Sequence, residues 1–239
     1  MGIVLSFCKF TTVTNAHWVG IANYVKAFSN KDFINALLFT VKFTVVSVIT
    51  INVISFALAY GLTRGLKGTN IFRTIFFMPN LIGGIVLGYI WQLLINGVLA
   101  HFNVTITADP KYGFWGMVIL TNWQLIGYMM IIYIAGIQNI PTELIEAAEI
   151  DGAGAWEKFW KITLPHMGPI ILINGIYTVV TIANYSEQAI NQEISNSMFN
   201  TSMMYSLSAA MSWIYFLLVL LILAVVGLLF WFISKKENT

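Results

Sequence analysis

Five stretches of the chain approach or exceed the length needed to cross a lipid bilayer, and together they carry one charged side chain. They run over 33–63, 74–95, 113–139, 167–185 and 205–234, and the charge is Lys42. A helix needs about 20 apolar residues to span the hydrocarbon core. In lipid every backbone polar group must find its partner inside the protein, which an α-helix achieves within one segment. The chain therefore reads as all-α, a polytopic transmembrane helical bundle of about five spans. Composition agrees: 9% of residues are charged, against about 25% in a soluble domain, and the mean hydropathy is +0.79. The net charge of +2 and the lack of a basic tract argue against a nucleic-acid partner. The single cysteine, Cys8, excludes an internal disulfide and offers no metal-ligand spacing.

The segments between the spans give the organisation. Residues 1–8 are apolar but too short to cross alone, and read as the stub of a first helix; 1–7 lacks the charged start of a signal peptide. Residues 9–32, with Lys9, Lys26, Lys31 and Asp32, read as an interfacial segment, so 1–32 precedes a membrane domain at 33–239. Lys42 is placed to snorkel to the nearer surface. Pro79-Asn80 and Gly83-Gly84 predict a kink or local break in the second span, although small residues equally suit close helix packing. Residues 96–112 and 186–203 read as polar loops. Alternating sides put Arg64, Lys67, Arg73, Lys158, Lys161, Lys235 and Lys236 together, against Lys9, Lys26, Lys31 and Lys111 on the other side. The positive-inside rule makes the first group, and with it the C-terminus, cytoplasmic.

One polar stretch stands apart. The 140–166 loop holds Glu143, Glu146, Glu149, Asp151, Glu157, Lys158 and Lys161 between two nearly uncharged runs. Pro141-Thr142-Glu143 starts a short helix, with the acid at its positive end. Leu144, Ala147 and Ala148 share one face, and Gly152 is suited to end the helix in a left-handed turn. A second short helix is expected at 154–163, with Trp156, Phe159, Trp160 and Thr163 on one face, a Glu157–Lys161 pair on another, and Leu164-Pro165 as its stop. Periodicity alone fits a hairpin lying on the membrane surface as well as a face for a partner's groove. In the fourth span, Asn174, Tyr177, Thr178, Thr181 and Tyr185 form a polar and aromatic stripe at spacings of three, four, seven and eleven. Such a stripe suits a sugar, whose hydroxyls need hydrogen bonds and whose faces stack on aromatics; it suits interhelical hydrogen bonding too.

Glu146-Ala147-Ala148, Gly152, Ile162, Leu164 and Pro165 resemble the E-A-A, three residues, G, nine residues, I-x-L-P motif of ABC importer permeases. Seven matches at fixed spacing would arise by chance on the order of once in 10⁸ windows. Val19-Gly20-Ile21-Ala22-Asn23-Tyr24, Phe72-Arg73 with Met78-Pro79, Trp91, Trp123, and Ala135-Gly136-Ile137-Gln138 with Ile140-Pro141 resemble the carbohydrate-uptake, maltose-type branch, most nearly its larger permease half. The sequence departs from that pattern in lacking a full first helix and a G-G-P segment within 186–203. The resemblance implies a type I importer permease in the bacterial cytoplasmic membrane. It implies that Glu146, Ala147, Ala148, Asp151, Gly152 and Phe159 couple to a dimer of cytoplasmic ATPases, with Phe159 as the knob, and that ATP and Mg are bound there. A second permease subunit and an extracellular or periplasmic solute-binding protein complete the expected assembly. No G-x-x-x-x-G-K-[ST] or H-E-x-x-H occurs, and His17, His101 and His166 are scattered, so no cofactor and no catalytic role are expected of this chain. An importer for a non-sugar solute, an autonomous secondary transporter and a membrane anchor are the other readings.

Overall fold

The computed structural model describes residues 2–10, 15–65, 68–106, 108–199 and 205–237. They are overwhelmingly helical and fall into two compact units, 1–45 with 179–225, and 46–178 with 226–239.

In the first unit, helix α1 (Gly2–Ser6) leads into an antiparallel pair of two-residue strands, β1 (Cys8–Lys9) and β2 (His17–Trp18), in register Cys8 with Trp18. These four residues are a small departure from the all-α expectation. Asn23, in α2 (Ala22–Ser29), donates to the carbonyls of Ser6 at 2.8 Å and Cys8 at 3.0 Å, which satisfies backbone groups that so short a ladder leaves over. Asn30 caps α3 (Lys31–Leu62) by accepting from the amides of Asp32 and Phe33. The core joins Ala27, Phe33 and Ala36 to Leu207, Met211 and Ile214 of α11 (Tyr205–Glu237).

Here the polar loop expected at 186–203 is corrected over 186–199. Helix α10 runs unbroken from Gly168 to Phe199. The segment holds no Gly or Pro, and its polarity marks only where a helix leaves lipid, not where it ends. Ile194 packs on the unit's core, and Ser208 Oγ of α11 donates to the Ile194 carbonyl at 3.1 Å. Tyr215 Oη ties the same two helices by donating to the Ala183 carbonyl at 2.8 Å. Residues 200–203 lie outside the described residues.

The second unit holds the rest of α3, then α4 (Thr69–Phe77), a 3₁₀ turn (Met78–Leu81), α5 (Gly84–Ala100) and α6 (Pro110–Gln138). Of the kink or local break expected at Pro79-Asn80 and Gly83-Gly84, the structure shows the break: the helices on either side meet at 103°. Pro79 is the second residue of the 3₁₀ turn, and Gly83 stands extended before α5. Gly127 is what lets α4 lie against α6, because a Cβ there would fall 1.8 Å from the Phe76 carbonyl oxygen. Asp109 caps α6 by accepting from the Lys111 amide at 2.7 Å, with Pro110 in the first turn. Among the described residues four helices are long and apolar enough to cross a membrane, within Lys31–Leu62, Pro110–Gln138, Gly168–Tyr185 and Tyr205–Leu228; the bent pair makes a fifth if it counts as one span.

Candidate functional site

The polar loop forms two short helices joined at a tight corner. Helix α7 (Thr142–Ile150) begins after Pro141 with Glu143 in its first turn. At its end the Gly152 amide donates to the Glu149 carbonyl at 3.1 Å and the Ala153 amide to the Ala148 carbonyl at 2.8 Å. Gly152 has φ +77, the left-handed conformation that this paired-bond helix stop requires. Across the corner, Lys158 of α8 (Ala155–Lys158) pairs with Glu149 at 2.7 Å. Glu157 accepts from Lys161 at 3.3 Å and from the Gly154 amide at 3.3 Å. The Lys161 hydrogen bond, then the Gly154 amide, hold its carboxyl below the usual range.

The stop expected at Leu164-Pro165 is corrected. Helix continues from α8 through a π-helical turn (Phe159–Thr163) and α9 (Leu164–His166) almost to α10. Pro165 has no amide for the preceding turn, and the wider π turn ahead of it accommodates that gap. The Met167 amide then donates to the Thr163 carbonyl at 3.0 Å and restores the ladder.

Most of the residues expected to couple lie at this corner. Glu146, Ala147, Asp151 and Gly152 are exposed, Ala148 is half-buried, and α7 buries no residue. Phe159 points the other way: its ring meets Tyr60 at 5.0 Å and Phe56 at 6.0 Å, both on α3. Thr163, expected on the same face, is buried. The aromatics that the corner offers outward are Trp156, 72% exposed, and Trp160, 49% exposed, beside Ile150 at 87%.

The stripe on α10 divides. Asn174 and Thr178 are fully buried in the second unit. Asn174 Nδ2 donates to the Met129 carbonyl at 3.3 Å, and Thr178 Oγ1 donates to the Asn174 carbonyl at 2.6 Å. Asn52 Nδ2 donates to Thr178 Oγ1 at 3.2 Å while Tyr133 Oη donates to Asn52 Oδ1 at 2.7 Å. These two stripe residues thus belong to a polar network joining α3, α6 and α10. Tyr177 remains 43% exposed and lies 5.3 Å, centre to centre, from Tyr128 of α6. Thr181 and Tyr185 are half-buried in the first unit. Asn52, Tyr128 and Tyr133 are additions from the structure; the signal for Asn52 was an amide deep in an apolar span. Among the described residues no three His, Cys, Asp or Glu gather as a metal would need.

Residues 51–236 match the family described as the binding-protein-dependent transport system inner membrane component. The chain belongs to that family. The matched region takes in the 140–166 corner and the stripe. Among relatives, the "Probable starch degradation products transport system permease protein AmyD" of Thermoanaerobacterium thermosulfurigenes is 37% identical over 75% of this chain and 64% of its own length. The trehalose/maltose transport system permease protein MalF of Thermococcus litoralis is 31% identical over 68% of this chain and 59% of its own. The chain thus spans less than two thirds of either relative. A bacterial ABC transporter that imports the acidic polysaccharide alginate shares the fold, with a TM-score of 0.77 over 97% of this chain and 88% of that one, at 20% identity.

Proposed function

We propose that this family member is the permease subunit of an ATP-driven, binding-protein-dependent importer of sugars or oligosaccharides, working by alternating access. The observation that carries the reading is the exposed corner at 140–166: two short helices joined at Gly152, with acidic and aromatic side chains exposed and no residue buried in α7 or α8. Such a face has its use against another protein. Relatives named for starch products and for trehalose and maltose support the solute class. Tyr128 and Tyr177 support it too, as an aromatic pair with an exposed edge on which a sugar ring would stack.

In this reading a dimer of cytoplasmic ATPases, holding ATP and Mg, grips α7 and α8. Its closure moves the corner as a body, and the spans rock against a second permease subunit. The solute that a binding protein delivers on the far side is then exposed to the cytoplasm on reopening. Glu146, Ala147, Ala148, Asp151 and Gly152 form the gripped surface, and Phe159 passes the movement inward to α3. The chain sits in the bacterial cytoplasmic membrane with this loop and the C-terminus inside.

The test is Gly152→Val. A β-branched residue in the left-handed region costs about 1–2 kcal/mol, and space around the position is open, so the chain still reaches the membrane while the corner opens. Uptake into vesicles falls about tenfold or more, as one such misplacement in a positioned site can cause, while ATP hydrolysis by the assembled transporter persists. Uptake at the unaltered rate would overturn the reading.

A further inference from the structure

Beneath the corner, wholly within the second unit, lies a cavity of about 880 Å³, the size of a small-molecule site. Its walls are apolar and aromatic: Val53, Phe56 and Tyr60 of α3 face Trp156, Phe159 and Trp160 of the 140–166 segment. Asn52 and Tyr133 close one end and Arg64 stands at the other. The distribution of polarity is that of an amphiphile, not of a sugar, since the long middle offers few hydrogen-bond partners.

Length identifies the class. From Asn52 to the end of α3 at Leu62 the helix rises about 15 Å, half of the ~30 Å hydrocarbon core, which is the depth of one leaflet. Arg64 is exposed just beyond the end of α3, donates to Tyr60 Oη and lies over the Tyr60 ring with its guanidinium carbon 4.3 Å from the centre. Among the described residues its guanidinium meets no carboxylate; the ion pairs are Glu149–Lys158 and Glu157–Lys161. Trp156 and Trp160 beside it are the side chains that favour the headgroup level.

We propose that this cavity holds the acyl chain of an anionic phospholipid from the leaflet bearing α7 and α8, with Arg64 pairing the phosphate. Phe159 contributes to the wall, so the lipid props the corner against α3 and its occupancy sets how firmly the corner follows α3. The proposal stands on the cavity and not on any solute, and its test reads binding without transport.

The full chain is placed in phosphatidylcholine nanodiscs that carry a minor fraction of acyl-brominated lipid, either phosphatidylglycerol or phosphatidylcholine. Bromine quenches nearby indoles, and the contribution of Trp156 and Trp160 is isolated by difference from the chain with both changed to Phe. The brominated phosphatidylglycerol quenches about fivefold more effectively, the scale of one basic side chain at an anionic surface. Arg64→Gln abolishes that preference. Ala57→Phe, at an exposed position in the wall, lowers quenching by both lipids because it fills the cavity. Equal quenching by the two lipids, or a preference that survives Arg64→Gln, overturns the proposal. So does loss of the preference when a second permease chain is bound, which would show that protein covers the cavity.

Discussion

At Gly127 the absence of a side chain holds two helices together. An added Cβ would meet the backbone of Phe76 and Phe77, at 1.8 Å from the carbonyl oxygen, and backbone cannot rotate away. Gly136 is different. Its nearest neighbours are the ends of Ile170 and Met167, which can turn aside. Gly127→Ala is therefore expected to cost about 1–3 kcal/mol or more by overpacking, lowering the unfolding midpoint in detergent by several degrees at about 2–4 °C per kcal/mol. Gly136→Ala should cost less. Equal midpoints for Gly127→Ala and the parent chain would show that α4 does not rest on α6 there. Nothing near Gly127 in the sequence marks a turn, so its role could not be read from spacing. The residues of the polar network show the same division. Asn174 and Thr178 were legible as polar members of an apolar span, but both binding a solute and binding a neighbouring helix fitted them. Their burial, and their bonds to Asn52 and Met129, show them joining helices.

At the scale of elements, the 140–166 corner was the most legible part of the chain. Its left-handed glycine and its Glu157–Lys161 pair follow from local rules that need no tertiary structure. The Glu149–Lys158 bridge was not legible, because nine residues and a reversal of direction separate its partners. Glu157 supplies a pH test. Its carboxyl is held below its ordinary value of 4.5 in the folded chain. The charged form is thus favoured by folding, and its contribution is present above the ordinary value and disappears as pH falls through the lowered one. Protection of the Gly154 amide, taken as the ratio of intrinsic to observed exchange, is expected to fall on acidification below that ordinary value. In Glu157→Gln that protection is already lower at neutral pH and changes little with acid. Identical exchange profiles for the two chains would remove Glu157 as the cap. The continuation of α10 past Tyr185 was missed for a related reason: leaving lipid and ending a helix are separate events, and only the contacts of Ile194 and Ser208 show the helix going on.

For the whole molecule, topology turns on the bent pair. If α4 and α5 together cross the membrane, residues near Thr69 and near His101 lie on opposite sides. In a chain with Cys8 replaced by Ser, Thr69→Cys is expected to react with an impermeant maleimide only from the side of the 140–166 loop, and His101→Cys only from the other. Labelling of both from one side would make the pair a re-entrant loop and leave four spans among the described residues. The sequence by itself determined that this chain lives in a bilayer, roughly where its helices cross, and the family it joins. Those properties rest on residue content over windows of about 20 positions and on a motif of fixed spacing, and neither needs distant contacts. Only the tertiary structure decided that the helices on either side of Pro79 meet at 103°, that Phe159 packs on α3 while Trp156 and Trp160 stay exposed, and that an apolar cavity lies between α3 and the 140–166 segment. Each of these depends on which helix a side chain meets. In a chain whose spans are apolar all round, periodicity carries little record of that choice.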